Sequence, residues 1–232
     1  MKSEQRIVKN NLNTISFEIS DDGVGHMVMN QPPANQMTME FFSEFTLFVE
    51  ELKEMKSLKA LVISGRGRHF SSGADLDGLL KLAGSGSTVD YFSNNYRSFL
   101  FLEEMEIPVI AAIRGVCIGS AFELALFSHF RFSGEDAVFG LPETTYNLIP
   151  GIGGISRMVK LCGQARAIEL ALKGNTFPAE EALGYHLIDR IVPKRKVAEH
   201  AFAFARSIMM DYHSQKSSLY LKKTETHESA VS

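Results

Sequence analysis

The chain has only two cysteines among its 232 residues, no strong excess of either charge and no long apolar run. Cys117 and Cys162 lie in apolar contexts without metal-type spacing, so both are predicted to be small buried hydrophobes. A net charge of −3 gives no reason to expect nucleic acid or an anionic membrane surface as a partner. No apolar run reaches the roughly 18 residues that cross a bilayer. The polar start Met1–Arg6 is not followed by the apolar segment that a secretory signal contains. These absences predict a folded cytoplasmic protein.

What is present is the composition of an ordinary globular domain. Hydrophobic residues make up 45% of the chain and charged residues 22%, which is enough apolar material for a sizeable core. Residues 13–20 alternate polar and apolar side chains, which predicts a strand that turns through Asp21-Asp22-Gly23 into a second strand. Thr38 is the predicted cap of a long helix. Further strands are predicted at 59–64, 108–113, 131–133 and 137–139, and helices at 74–83, 90–104, 120–127, 155–161, 164–172, 179–183 and 197–210. This alternation predicts an α/β fold with largely parallel strands.

Two glutamates lie in unusually apolar, glycine-flanked stretches. Glu123 is enclosed by the segment 116–126, and Glu143 follows Phe139-Gly140-Leu141-Pro142. A carboxylate with so few polar neighbours should be partly desolvated, and desolvation raises its pKa toward neutral pH. Two such groups facing one substrate could act as general base and general acid.

Two glycine-bearing turns each follow an apolar strand and open a helix. One turn contains Gly73 in the segment 70–76, and the other contains Gly119 in the segment 115–121. Backbone N–H groups at a helix start have no partner within the helix and can bind negative charge. Each turn alone reads as a tight turn and nothing more. The two turns together with the two glutamates favour an oxyanion hole for a carbonyl oxygen that gains charge.

These motifs resemble those of the enoyl-CoA hydratase/isomerase (crotonase) superfamily. The resemblance runs from about Ile15 to Val197. It is carried by the segments 70–76, 108–115, 119–154 and 178–193. It implies a spiral of ββα units with a helical C-terminal region, acting on acyl-CoA thioesters without a separate cofactor.

The resemblance also assigns roles to residues. Glu123 and Glu143 match the two catalytic glutamates of the hydratases, with Glu123 activating water and Glu143 protonating the α-carbon. The backbone N–H groups of Ala74 and Ser120 match the oxyanion hole. The substrate-binding residues implied are Ser71, Ser72, Gly73, Gly119 and Gly151. Family members form trimers, often stacked in pairs, so a homotrimer or hexamer is expected.

The sequence departs from the family pattern in two places. Gly119-Ser120-Ala121-Phe122 stands where hydratases usually have a run of glycines. The chain also ends early, which divides it into a core over residues 1–195 and a shortened C-terminal helix with a polar tail over residues 196–232. Tyr146, three residues after Glu143, is interpreted as a core residue rather than part of an acyl pocket.

Several activities fit these residues. The favoured hypothesis is an enoyl-CoA hydratase, because water addition uses both glutamates and the oxyanion hole. A double-bond isomerase would need Glu143 alone. The short C-terminus would suit a dehydratase or decarboxylase that takes carrier-protein thioesters in polyketide assembly. A catalytically silent scaffold is the remaining alternative, although a scaffold has no need of paired buried carboxylates.

Overall fold

The computed structural model describes residues 6–7, 12–78 and 88–209. The strands are β1 (Arg6–Ile7), β2 (Ile15–Ile19), β3 (Val24–Met29), β4 (Ala60–Gly65), β5 (Val109–Ile113), β6 (Val116–Ile118), β7 (Phe130–Gly134), β8 (Val138–Gly140), β9 (Phe177–Pro178) and β10 (Arg190–Val192). The helices are α1 (Met39–Glu54), α2 (Thr88–Glu104), α3 (Ser120–Leu126), α4 (Gly154–Cys162), α5 (Gln164–Lys173), α6 (Ala179–Gly184) and α7 (197–209), with 3₁₀ turns at Pro142–Tyr146 and Lys194–Lys196.

The strands form two sheets that the chain visits in turn. The larger sheet has the order β1-β2-β3-β4-β5-β7-β10, antiparallel from β1 to β3 and parallel from β3 to β10. The smaller sheet has the order β6-β8-β9. From β5 to β8 the chain places one strand in the large sheet and the next in the small sheet, and then repeats this step. The predicted α/β fold with ββα turns is therefore confirmed.

The large sheet is covered on both faces, which explains its continuous apolar strands. In β4, Leu61 and Ile63 face the main core with α1 and α2, while Ala60 and Val62 face the opposite cluster. That second cluster includes three residues of α7, namely Val197, Ala201 and Ala205. Small alanines let α7 approach the sheet closely, so the segment 197–209 is an integral layer of the described fold.

The helix predicted after Thr38 is confirmed, with its predicted cap. The Thr38 side chain accepts a hydrogen bond from the Phe41 N–H at 3.2 Å, and the phenylalanine stripe of α1 is buried. The helix predicted over 74–83 is helical from residue 76 to 78, and its remainder lies outside the described residues, as does the polar tail.

The structure bears on the cysteine and membrane predictions as well. Cys117 is fully buried, as predicted, whereas Cys162 is only partly buried, and both are free thiols. Within the described ranges, no helix is long and apolar enough to cross a membrane. Nor do those ranges bring together three His, Cys, Asp or Glu side chains that could hold a metal ion.

Candidate active site

Glycine at position 73 allows the two predicted turns to meet. Its φ is +83°, a conformation that residues with a side chain rarely adopt. A Cβ atom at this position would lie only 2.6 Å from the Ile118 carbonyl oxygen and 3.4 Å from the Ser120 nitrogen. Two isolated bridges, Ser71 with Cys117 and Met37 with Ala74, hold the same turns in place. The structure thus brings the segments around residues 73 and 119 into direct contact.

Two backbone N–H groups lack an acceptor among the described residues where the turns meet. Around the first turn, the Gly73 N–H donates to Ser71 Oγ at 3.0 Å and the Asp75 N–H donates to the Met37 carbonyl at 3.0 Å. Between them, the Ala74 N–H has no acceptor among the described residues. Ser120 is the first residue of α3, so its N–H has no acceptor within the helix. Ala74 and Ser120 both line one pocket.

Glu123 is held by two backbone donors. Its side chain lies on α3 and the residue is 1% exposed. Glu123 Oε1 accepts hydrogen bonds from the N–H of Ile152 at 3.0 Å and from the N–H of Gly154 at 2.9 Å. A Cβ at position 154 would lie 2.6 Å from Glu123 Cγ, so glycine is needed for this approach. Gly154 also begins α4, and the partial positive charge at a helix N-terminus favours a carboxylate there.

Glu143 has fewer hydrogen-bond donors than Glu123, because the one backbone group that lowers its pKa is its own. It lies in the 3₁₀ turn Pro142–Tyr146, and its Oε1 faces Gly119, where a Cβ would be 3.2 Å away. Its Oε2 is buried and has no hydrogen-bond partner among the described residues. A buried polar atom without a protein partner is available to a water molecule, a substrate or a proton.

Burial raises the pKa of both glutamates to about 7. For Glu123 the charge of Glu143 raises the pKa further, while the two N–H donors act in the opposite direction. Two coupled carboxyl groups release their protons in steps that belong to the pair. Near neutral pH the pair therefore holds about one proton. The two N–H donors favour the charged form of Glu123, which suits that residue to hold the negative charge of the pair.

Both carboxyl groups open into one pocket of about 250 Å³. The predicted site residues that line it are Ser72, Ala74, Gly119, Ser120, Glu123, Glu143 and Gly151. The other lining residues are mostly apolar and were not predicted from the sequence: Leu76, Phe92, Ile118, Pro142, Tyr146, Leu148 and Ile149. The arrangement suits an apolar substrate with one oxygen at the N–H pair and its reacting carbons between the carboxyl groups.

Three residues differ from their predicted positions. Ser71 is fully buried and lies behind the pocket wall, where its hydroxyl accepts the Gly73 N–H. Gly73 likewise supports the wall from behind. Tyr146 is 57% exposed at the pocket rim, so its interpretation as a core residue is wrong.

Comparisons with a family model and with known proteins both indicate the same family. The family model described as enoyl-CoA hydratase/isomerase matches residues 20–230. The chain is 29% identical over 227 residues to the "Probable enoyl-CoA hydratase" of Bacillus subtilis (strain 168), covering 95% of this chain and 87% of that protein. It is 34% identical over 198 residues to the fatty acid oxidation complex subunit alpha of Shewanella amazonensis, covering 83% of this chain but only 28% of that longer protein.

Solved structures share the fold. The enoyl-CoA hydratase from Bacillus anthracis superposes with a TM-score of 0.79 at 31% identity, covering 84% of this chain and 76% of that one. The structure described as an enoyl-CoA hydratase from Thermobifida fusca YX was solved in complex with acetoacetyl-CoA. It superposes with a TM-score of 0.79 at 28% identity, covering 86% of this chain and 82% of that one.

Proposed function

Because this chain belongs to the enoyl-CoA hydratase/isomerase family, we propose that it adds water across the double bond of a 2-enoyl thioester. One observation carries the proposal. Glu123 and Glu143 face the same pocket; two N–H donors hold Glu123 Oε1, whereas Glu143 Oε2 has no partner among the described residues, which suits the first to accept a proton and the second to donate one. Hydration of a conjugated double bond needs both transfers.

The thioester oxygen would accept hydrogen bonds from the N–H groups of Ala74 and Ser120. In the transition state, electron density moves from the double bond to this oxygen, and an enolate develops. Fixed N–H donors stabilise that charge without having to reorganise. The contact between the two turns through Gly73 holds this donor pair together.

The two glutamates would then complete the addition. Ionised Glu123 takes a proton from water as the water oxygen bonds to the β-carbon. Protonated Glu143 delivers its proton to the α-carbon as the enolate collapses back to the thioester. The pair gains one proton and loses one, so its total protonation is unchanged over the reaction. The step uses only carboxyl groups and backbone donors, and we propose that no separate cofactor takes part.

The substrate class follows from the family and from one solved relative. The Thermobifida fusca structure was solved with acetoacetyl-CoA, a thioester with an oxygen at the β-carbon. We propose the same carrier, coenzyme A, for the substrate of this chain. The two N–H donors on Glu123 favour hydration over isomerisation, because a proton shuttle by Glu143 alone would not need a second carboxylate held in its charged form.

The direct test is an assay with crotonyl-CoA. Loss of the ultraviolet absorbance of the conjugated double bond, with the 3-hydroxyacyl product identified by mass spectrometry, would support hydration. A matched assay with a 3-enoyl-CoA detects isomerisation, and acyl-carrier thioesters test the carrier. Absence of turnover with every thioester would contradict the proposal.

The hydration rate should depend on pH as a bell centred near neutrality. Below the pKa of about 7, Glu123 is protonated and cannot accept a proton; above it, Glu143 is ionised and cannot donate one. The value of kcat/KM, which reports the free enzyme, should therefore fall on both sides of about pH 7. Circular dichroism at each pH serves as the control for unfolding. A rate that did not change from about pH 5 to about pH 9 would contradict the assignment of Glu123 and Glu143 as base and acid.

Phe92 should limit the size of the acyl group. It projects from α2 into the pocket, and a Cβ at Gly151 would lie 2.7 Å from its ring. Phe92→Ala should raise the ratio of kcat/KM for a longer 2-enoyl-CoA to kcat/KM for crotonyl-CoA by about 10-fold or more. The reason is that each methylene group in an apolar pocket changes discrimination between substrates by about that factor. The ratio between two substrates cancels any loss of folded enzyme. Leu172→Ala, at a residue 71% exposed and outside the pocket, is the control and should leave the ratio unchanged.

A further inference from the structure

Arg157 is a buried cation that lies outside the pocket. The residue is 6% exposed, on the first turn of α4, three residues after Gly154. Its Nη2 and Nε atoms both reach Glu103 Oε2 on α2, at 2.5 Å and 2.9 Å. Burying a guanidinium is costly unless a carboxylate and further contacts compensate for lost water. Neither the substrate pocket nor the proposed chemistry accounts for this pair.

The Arg157 guanidinium connects three elements that surround Glu123. Its carbon Cζ lies 3.8 Å from the ring centre of Phe127, the C-cap residue that follows α3. It lies 5.3 Å from the ring of Tyr96 on α2. Arg157 therefore ties the start of α4 both to α2 and to the end of the helix that carries Glu123.

The same side chain supports the loop that binds the Glu123 carboxylate. Arg157 Nη1 donates to Ser156 Oγ at 3.0 Å, and Ser156 Oγ donates to the Gly153 carbonyl at 2.7 Å. The Arg157 N–H donates to the same carbonyl at 3.3 Å. Gly153 lies between Ile152 and Gly154, whose N–H groups hold Glu123. Movement of α4 would therefore change the distances from both N–H groups to Glu123 Oε1.

We propose that Arg157 is a positioning residue that holds the first turn of α4 against Glu123. The inference rests on the proposed function, because it concerns the group that would activate water. Without this anchor, α4 should move outward and weaken the two N–H···O contacts. Hydrogen bonds to the charged form lower the pKa of a carboxyl group, so weakening them should raise the pKa of Glu123.

Because other charged groups surround Glu123, the test must separate an effect of the Arg157 charge from an effect of positioning. From the 3₁₀ turn, Glu143 faces Glu123 and raises its pKa. From α2 and α4, Glu103, Lys160 and Arg157 lie behind the loop, with Lys160 paired to Glu103 at 2.9 Å. Glu103 carries the opposite charge to Arg157. If Arg157 acted through its charge alone, removing Glu103 would lower the Glu123 pKa, whereas loss of positioning should raise it in both variants.

The test uses Arg157→Lys and Glu103→Gln. Lysine keeps the charge but lacks the planar fork that reaches Glu103 and stacks on Phe127. In both variants kcat should fall about 10-fold with KM nearly unchanged, and the acidic limb of the pH profile should move upward by about one unit. Carbon-13 NMR titration of the Glu123 carboxyl group, assigned by its loss in Glu123→Gln, should show the same rise in the resting protein.

Arg131→Lys is the matched control. Arg131 is 4% exposed and pairs with Asp189 at 3.1 Å, away from the pocket. It should lower thermal stability while leaving the Glu123 titration unchanged. An unchanged titration in both folded test variants, a fall in Glu103→Gln, or an equal rise in Arg131→Lys would overturn the proposal. If wild-type protein hydrated no enoyl thioester, the proposed function would fail, yet the NMR titration would still decide the role of Arg157.

Discussion

Replacing Glu143 by Gln should remove most hydratase turnover while the protein stays folded and binds its thioester. The amide is nearly isosteric but cannot deliver a proton to the α-carbon. General acid–base groups contribute about 10²–10⁴-fold, so kcat should fall by that factor with a small change in KM. Steady-state kinetics with crotonyl-CoA measures the loss, and product binding by calorimetry checks that the pocket remains intact.

The stability of this variant supplies an independent check. Burial raises the pKa of Glu143 from 4.5 to about 7, so the folded state binds the proton more tightly than the unfolded state. The resulting stability is fully present below the unfolded pKa and is lost as pH rises through about 7. Glutamine does not ionise, so Glu143→Gln should melt at the same or a higher temperature than the wild type at about pH 8.

The matched control is Glu44→Gln. Glu44 is another buried glutamate, but its carboxylate accepts the N–H groups of Asn13 and Thr14 and lies outside the pocket. It should lose stability and keep its kcat. Near wild-type turnover in Glu143→Gln, or an equal loss of kcat in Glu44→Gln, would show that Glu143 is not the acid.

Replacing Ser120 by Pro should nearly abolish turnover by removing one donor to the thioester oxygen. Ser120 is the first residue of α3, where proline fits the helix and its missing N–H breaks no helical hydrogen bond. Loss of one oxyanion donor costs roughly 10²–10³-fold in kcat. Kinetics with crotonyl-CoA, together with a thermal melt by circular dichroism, measures the effect.

Ser120→Ala separates the N–H from the side chain. It removes the hydroxyl and keeps the donor, so its kcat should stay within a few-fold of the wild type. If the alanine variant lost as much activity as the proline variant, the hydroxyl and not the backbone would be the active group. A folded, fully active proline variant would leave the turn with a structural role only.

The sequence predicts most of the fold because its signals are local. The strands of the hairpin follow from alternation, the phenylalanine stripe of α1 from helical spacing, and the buried strands β4 and β5 from short continuous apolar runs. Strands β1, β6, β9 and β10 were not predicted, because two or three residues are too few to show a period. Their pairing depends on partners distant in the chain.

The candidate site is predictable only in part for the same reason. Glu123 and Glu143 stand out because charge in an apolar, glycine-flanked stretch is visible in the sequence. The N–H donors of Ile152 and Gly154 are backbone groups 29 and 31 residues from Glu123, and no side-chain pattern marks them. Phe92 resembles Phe99 of the same helix, although one lines the pocket and the other is core.

The glycines at positions 73 and 154 bear on how such a site could diversify. At both positions a Cβ would collide with the groups that position the chemistry, the Ile118 carbonyl at one and the Glu123 side chain at the other. The side chains of Phe92, Leu148 and Ile149 line the pocket as an apolar wall and donate no hydrogen bond to either glutamate. Saturation mutagenesis should therefore find the two glycines intolerant and the wall permissive. A lineage could acquire new acyl preferences through the wall while the reacting centre stays under purifying selection.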